Sequence, residues 1–205
     1  MKRKRKKEVQ KSRILIIIVV IIILGIVVFF QTRPKLQIVT VSSQIDDYNY
    51  YLESNATKLY VKYYNNLKEE LVDKKIDEEE YAKLVASLFV IDYYTLNNKV
   101  TNKDIGGVQF IHSELQDKFI NESANTIYKY INNNLYGNRK QKLPEVSNID
   151  IVKVENIKYK SGNYKDDSGY LVTVKIEYVK DYEYPKEVSI SLIHEDNKLV
   201  IVEVK

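Results

Sequence analysis

The sequence lacks several residue types that proteins commonly use for covalent cross-links, catalysis and metal binding. It has no cysteine and no tryptophan, only three prolines and six glycines, and two histidines, His112 and His194. The absence of cysteine excludes disulfides and thiol catalysis, and it excludes most zinc-site patterns as well. Packing alone must therefore stabilise any folded domain that this chain forms.

The short motifs of common enzyme classes are also missing. Neither Gly-x-Ser-x-Gly nor Ser-x-x-Lys occurs, and there is no glycine-rich loop of the phosphate-binding type. No second metal ligand lies at zinc spacing from either histidine. We therefore expect no catalytic residues, no metal site and no cofactor, although a triad dispersed along the chain would leave no local motif.

One long apolar run, Ile14 to Phe30, stands out near the N-terminus, and the preceding segment 1–13 carries eight Lys or Arg against Glu8 alone. As a helix, the run would be about 25 Å long, close to the bilayer core of about 30 Å. Basic charge before the first apolar segment favours a cytoplasmic N-terminus. We predict a basic cytoplasmic tail at 1–13, a single transmembrane helix in the bilayer at 14–30, and a remainder that lies outside the cell membrane.

A cleaved signal peptide is the alternative to this anchor. Signal peptides have shorter apolar regions, of about 7 to 15 residues, and end in a small-x-small cleavage site. Here the run ends in Phe29-Phe30-Gln31-Thr32-Arg33-Pro34, with no such site. The pattern therefore favours a retained anchor.

The net charge of +4 conceals an uneven distribution. Of 32 basic and 28 acidic residues, nine basic and one acidic lie in 1–33, which leaves 23 basic and 27 acidic residues, a net −4, in 34–205. Nucleic-acid binding would need a basic face, so we predict no nucleic-acid partner. Abundant Lys, Asn, Ile and Tyr are typical of AT-rich genomes, and a cysteine-free exterior is typical of low-GC Gram-positive bacteria.

Apolar periodicity predicts three helices beyond a juxtamembrane linker at 31–54, in which Pro34 to Ser43 is extended. The first helix is predicted to begin near Asn55. The second has Asp77 as its N-cap, with Glu80 reaching back as the acid of a capping box. Its apolar residues nearly encircle its later turns, so we expect it to be the most buried. The third is predicted to run for about six turns from Ile111 to Leu135.

After residue 144 the period changes to two, which indicates antiparallel strands. Strands are predicted at Ile149 to Tyr159, around Tyr170 to Tyr178, around Val188 to Leu192, and at Leu199 to Val204. Helices followed by a sheet predict an α+β domain over 55–205, with about three helices packed on one face of a four-stranded antiparallel sheet.

This order of elements, an anchor, three helices and about four strands, resembles the cystatin-like cone of nuclear-transport-factor-two-like domains. Such domains include the extracytoplasmic parts of inner-membrane assembly factors in type IV secretion and conjugation. The chain also resembles single-pass membrane proteins of low-GC Gram-positive bacteria. The resemblance covers roughly Asn55 to Val204 and implies a concavity between helices and sheet, together with association through the open sheet.

Four residues are candidate ligand-binding positions: Asp92, Tyr93, Tyr94 and His194. Asp92 interrupts an apolar stretch on the second helix and, if buried, needs a cation or a hydrogen-bonding partner. Because adjacent tyrosines cannot share one helix face, one member of each pair, Tyr63-Tyr64 and Tyr93-Tyr94, should be the more exposed. The positions of the two histidines, His112 at the start of the third helix and His194 at the end of a strand, favour surface or boundary roles for both.

Three functions follow. The leading hypothesis is a noncatalytic, membrane-anchored extracytoplasmic domain that binds an envelope protein or forms a homodimer. The alternative is a domain that binds a small ligand or a cell-wall fragment in the cavity between helices and sheet. The third is an enzyme, which would require His112 or His194 to face Asp92 or a similar acid.

Overall fold

A computed structural model describes residues 18–29, 31, 36–72 and 75–205. The chain divides into two compact units, one over Met1–Leu36 and one over Gln37–Lys205. The described residues contain four helices and a four-stranded antiparallel sheet, which confirms the α+β class.

The first unit contains a helix, α1, over residues 18–29, with side chains that are exposed along its length. Within the described residues, no helix combines the length and apolar character needed to cross a bilayer. The predicted transmembrane helix at 14–30 extends into residues outside the described ranges, and the basic tail at 1–13 lies wholly outside them. The membrane anchor therefore stays a prediction.

The second unit begins with a hairpin inside the segment predicted as linker. Strands β1 (Val41–Ile45) and β2 (Tyr50–Glu53) pair antiparallel around a short 3₁₀ turn. The Tyr50 side chain is fully buried, and its hydroxyl lies 2.7 Å from the Tyr81 hydroxyl and donates to the Leu199 carbonyl at 3.1 Å. The compact unit thus starts at Gln37 rather than near residue 55, because this hairpin packs into the core.

Two helices follow, α2 (Lys58–Val72) and α3 (Glu78–Tyr94). Asp77 is the N-cap of α3, as predicted, and accepts the N–H groups of Glu79 and Glu80 at 3.0 and 3.1 Å. The reciprocal half of the cap comes from Glu70, whose carboxylate accepts the Asp77 N–H at 2.6 Å. The predicted partner, Glu80, instead pairs with Lys83. As expected, α3 has the most buried residues of the helices in the second unit.

The predicted third helix, Ile111 to Leu135, was wrong in length. The structure has short 3₁₀ helices at Val108–Phe110 and Ser113–Leu115, then a helix α4 only over Gln116–Asn125. Ile111 is extended. At the other end, Asn125 and Thr126 side chains donate to the carbonyls of Asn121 and Glu122, so side chains take the place of the next helical turn.

The sheet has strands in chain order: β3 (Val146–Ser161), β4 (Tyr164–Tyr178), β5 (Glu187–Glu195) and β6 (Lys198–Val204). Each pairs antiparallel with the next, as the alternation predicts, and β3 and β4 are longer than predicted because their turn is only two residues. One face of the sheet packs against α3. The shared core contains, among others, Val85, Leu88, Phe89, Val172, Val174, Ile190 and Leu192.

Candidate functional site

A cleft of about 510 Å³ opens between the C-terminal half of α3, the helix α4 and the edge strand β6. Its volume lies within the range of ligand-binding pockets, about 300 to 1,000 Å³. Most of its walls are apolar or aromatic, and charged side chains lie among them. The lining residues are Phe89, Tyr93, Tyr94, Ile111, Leu115, Lys118, Phe119, Glu122, Ser123, Thr126, Ile201, Val202, Glu203 and Val204.

Aromatic rings form one wall of this cleft. The rings of Phe89 and Tyr93 stack with centroids 5.3 Å apart, and Phe119 lies 5.9 and 5.2 Å from them. Such clusters hold their geometry because the edges and faces of the rings attract. The wall is therefore a firm apolar surface for a side chain or ring of a ligand.

The Tyr93 hydroxyl adds a polar point to this wall, 3.1 Å from the Ser123 hydroxyl. Burial raises the pKa of Tyr93, and it raises the pKa of Tyr94 to about 12. Both side chains are therefore neutral at physiological pH. The hydroxyl pair can donate or accept a hydrogen bond but supplies no charge.

The strand side of the cleft is the outer edge of β6. Ile111 forms a single parallel bridge with Ile201, and the His112 N–H donates to the Ile201 carbonyl at 3.0 Å. The chain then turns away into the 3₁₀ helix at Ser113–Leu115. Beyond Ile201, no strand covers the outer edge of β6 in the described part of the chain.

The structure places Asp92 behind this cleft rather than in it. Its carboxylate pairs with the Lys99 ammonium at 2.5 Å and accepts the Gly107 N–H at 2.7 Å. The Lys99 side chain is only 1% exposed. Burial opposes the charge of Lys99, but Asp92 and Asp104 outweigh it and raise its pKa. Asp92 is half-buried and has both a cationic partner and a backbone hydrogen bond, and these contacts fix the loop after α3.

Asp92 also borders a small polar pocket of about 10 Å³, together with Glu53, Asn55, Asn98 and Gln109. The amide N–H₂ groups of Asn55 and Asn98 donate to each other's backbone carbonyls at 3.2 and 3.0 Å. Their side-chain oxygens are buried and have no hydrogen-bond partner among the described residues. The volume of this pocket matches that of one water molecule.

His194 lies at the opposite end of α3. Its Nδ1 is 2.8 Å from the Asp166 carboxylate and its Nε2 is 3.4 Å from that of Glu78. Partial burial would raise the pKa of Asp166, but the N–H donors of His194 and Ser168 lower it to about 2. Fourteen residues of helix separate Glu78 from Asp92, about 21 Å. The structure therefore does not bring His194 together with the other three candidate residues.

His112 does not face Asp92 either. Its Nδ1 accepts the Glu114 N–H at 3.3 Å and so caps the 3₁₀ helix at Ser113–Leu115, with the Glu195 carboxylate 3.6 Å away. Neither histidine ring lines the cleft. The described residues contain no group of three His, Cys, Asp or Glu side chains placed to hold a metal ion.

The tyrosine pairs are as predicted, since Tyr64 and Tyr94 are buried and Tyr63 and Tyr93 are half-buried. The more exposed partner in the second pair, Tyr93, is the one whose hydroxyl lies near the Ser123 hydroxyl. Sequence reasoning missed the other walls, above all Leu115, Phe119 and Val204. For Leu115 and Phe119 the available signal was their spacing of four residues, which places two apolar side chains on one side of a helical segment.

Comparisons with protein-family models, with curated proteins and with solved structures find no match to this chain.

Proposed function

We propose that the chain is a noncatalytic binding protein, anchored in the cell membrane by residues 14–30, with its α+β domain outside the cell. The observation that carries this proposal is the cleft between α3, α4 and β6. It is large, mostly apolar and equipped with one pair of neutral hydroxyls. These are properties of a surface that binds rather than of a site that moves protons.

An envelope protein is the occupant that the cleft favours. The cleft is bounded on one side by a strand edge and on the other by a helix, and proteins bind segments of partner chains between such elements. A homodimer is a special case, in which the partner is a second copy of this chain.

Photo-crosslinking in intact cells tests this proposal. A benzoylphenylalanine replaces Phe119 in the cleft of the full-length protein, and a matched control carries it at Val152, which is exposed on the other edge strand, β3. We expect a crosslinked product of defined mass from the Phe119 position only. Mass spectrometry then separates an envelope partner from a second copy of the chain.

Equal products from the two positions, or no product from the cleft, would contradict the proposal. The topology can be checked in the same cells by protease protection, since the α+β domain should be cut from outside. A protected domain would contradict the extracytoplasmic assignment.

The alternative function is binding of a small ligand or a cell-wall fragment in the same cleft. The Tyr93–Ser123 hydroxyl pair favours it, because pockets for small molecules combine apolar walls with a few fixed polar groups. Native mass spectrometry of the purified full-length protein would show such a ligand as an added mass. A Phe119→Glu variant should lose that mass.

A further inference from the structure

We infer that the cleft receives an extended segment of the partner protein, which adds a strand to the outer edge of β6. This inference rests on the proposed function and specifies its partner chemistry. The segment is uncharged, with apolar side chains at alternate positions.

The first argument is that the position for a further strand beside β6 is used for only one bridge among the described residues. The chain at Ile111 occupies that position for one bridge, next to Ile201, and then leaves it for the 3₁₀ helix at Ser113–Leu115. Neighbouring strands lie about 4.8 Å apart. Had the chain after Ile111 continued as a strand beside β6, it would have filled the cleft. Val202, Glu203 and Val204 border the cleft on that side.

The backbone of Val204 supplies the second argument. Ser189 and Lys205 exchange both of their backbone hydrogen bonds, each at 2.9 Å, and Ile190 lies opposite Val204. In an antiparallel pair the next residue points its N–H and C=O away from the partner strand. The polar groups of Val204 therefore face outward, where an added strand can pair with them.

The wall opposite β6 determines which side chains fit. Tyr93, Leu115 and Phe119 are half-buried in the folded domain and present apolar surface to the cleft. Side chains of a strand alternate between its two faces, so every second residue of the added segment would contact this wall.

The charged side chains at the rim of the cleft form ion pairs with one another or with a neighbouring residue. Lys118 pairs with Glu122 at 3.8 Å, and Glu203 pairs with Lys205 at 3.0 Å. Each pair is exposed and balanced in sign. The rim therefore favours neither an acidic nor a basic segment, and the apolar wall favours an uncharged one.

A pair of substitutions at Val204 separates backbone pairing from side-chain contact. Val204→Pro removes the outward N–H and leaves the pairing of β6 with β5 intact, because that N–H is not used by β5. Val204→Thr has nearly the same shape as valine and keeps the N–H, and it serves as the matched control.

The probe is a phage-displayed library of random octapeptides, selected on the full-length protein in lipid nanodiscs. The selected peptides are synthesised, and their Kd is measured for the original protein and both variants. We expect alternating apolar peptides, with a Kd raised about tenfold or more by Val204→Pro and about twofold or less by Val204→Thr. Equal effects of the two substitutions, or no selected peptide, would overturn the inference.

A second measurement does not depend on how well the Val204→Pro variant folds. Each selected peptide is methylated at one backbone nitrogen at a time and tested on the original protein. Strand addition predicts that loss of binding alternates along the peptide, since only every second N–H faces β6. A pattern without this alternation would overturn the inference, whereas cleft-specific crosslinking in cells would still support the proposed function.

Discussion

At the scale of single residues, the most demanding group to bury is the ammonium of Lys99. It is 1% exposed, and its nearest compensation is the Asp92 carboxylate, which is 19% exposed. A buried ion pair contributes little net stability, but removal of one partner leaves an unpaired charge in a poorly hydrated site. The pair therefore fixes the loop between α3 and the 3₁₀ helix at Val108–Phe110 more than it strengthens the domain.

We predict that Lys99→Met lowers the free energy of unfolding by about 3 kcal/mol, because Asp92 then loses its cation. The Asp92→Asn/Lys99→Met double variant should lose less than the sum of the two single variants, since neither charge remains. Urea unfolding followed by circular dichroism measures both. Additive losses would show that the two side chains do not interact.

Gly107 is a second residue with a strict requirement. Its φ is +77°, and a Cβ there would lie 2.7 Å from Cδ2 of Phe89, an aromatic ring of the cleft wall. We predict that Gly107→Ala costs at least about 2 kcal/mol of stability, through both backbone strain and this clash. Gly162→Ala is the control, because φ there is +57° with open space around it, and should cost about 1 kcal/mol. Thermal unfolding compares them, and equal shifts would refute the clash.

Asp92, Tyr93 and Tyr94 could be selected from sequence because a carboxylate and two tyrosines disturb an apolar helix, which is a local signal. His194 could not be placed. Its position against Asp166 and Glu78 depends on the pairing of β4 with β5 and on the packing of α3, and neither is encoded near residue 194. Sequence reasoning likewise could not place Val204 at the cleft. Its position there depends on where the segment after Ile111 turns away from the edge of β6.

At the scale of elements, the start of α3 follows directly from local chemistry. Asp77 accepts two N–H groups of the first turn, and three acidic residues follow it. We predict that Asp77→Ala lowers stability by about 1 kcal/mol and that Asp77→Asn changes it by only a few tenths, because asparagine caps equally well. The midpoint of thermal unfolding decides this. An unchanged midpoint for Asp77→Ala would mean that Glu70 alone holds this end.

The end of α4 illustrates where periodicity fails. Ile127 and Ile131 continue the helical spacing beyond Asn125, and both pack against apolar neighbours. The backbone nevertheless leaves the helix at Thr126, with φ −120° and ψ −99°, because its hydroxyl donates to the Glu122 carbonyl. Apolar spacing reports which residues are buried, but it does not report whether side chains have taken the backbone's hydrogen bonds.

At the scale of the whole molecule, seven of the 18 tyrosines are buried in the core. Tyr50, Tyr60, Tyr64, Tyr81 and Tyr128 are all at most 5% exposed. Burial raises the pKa of Tyr50, Tyr60 and Tyr128 well above 10, and that of Tyr81 to about 12. The fold keeps these phenols protonated where an unfolded chain would release the protons.

We therefore predict that the domain loses stability as pH rises above 10. Between pH 10 and 12 the unfolded chain has lost tyrosine protons that the folded chain retains, so each such tyrosine lowers stability by about 1.4 kcal/mol per pH unit. The last part of the tyrosinate absorbance, which comes from the buried tyrosines, should appear abruptly, at unfolding. Full tyrosinate absorbance with the fold retained would contradict this prediction.

The contact of Tyr50 with the Leu199 carbonyl has a consequence for how the molecule is made. Asn197 reaches the same hairpin, donating to the Asp47 carbonyl at 2.8 Å, so residues about 150 positions apart complete one corner of the core. A ribosome releases the hairpin long before β6. Until β6 has been synthesised, Tyr50 and its neighbours lack their partner. The nascent chain must therefore be shielded while this corner of the core is incomplete.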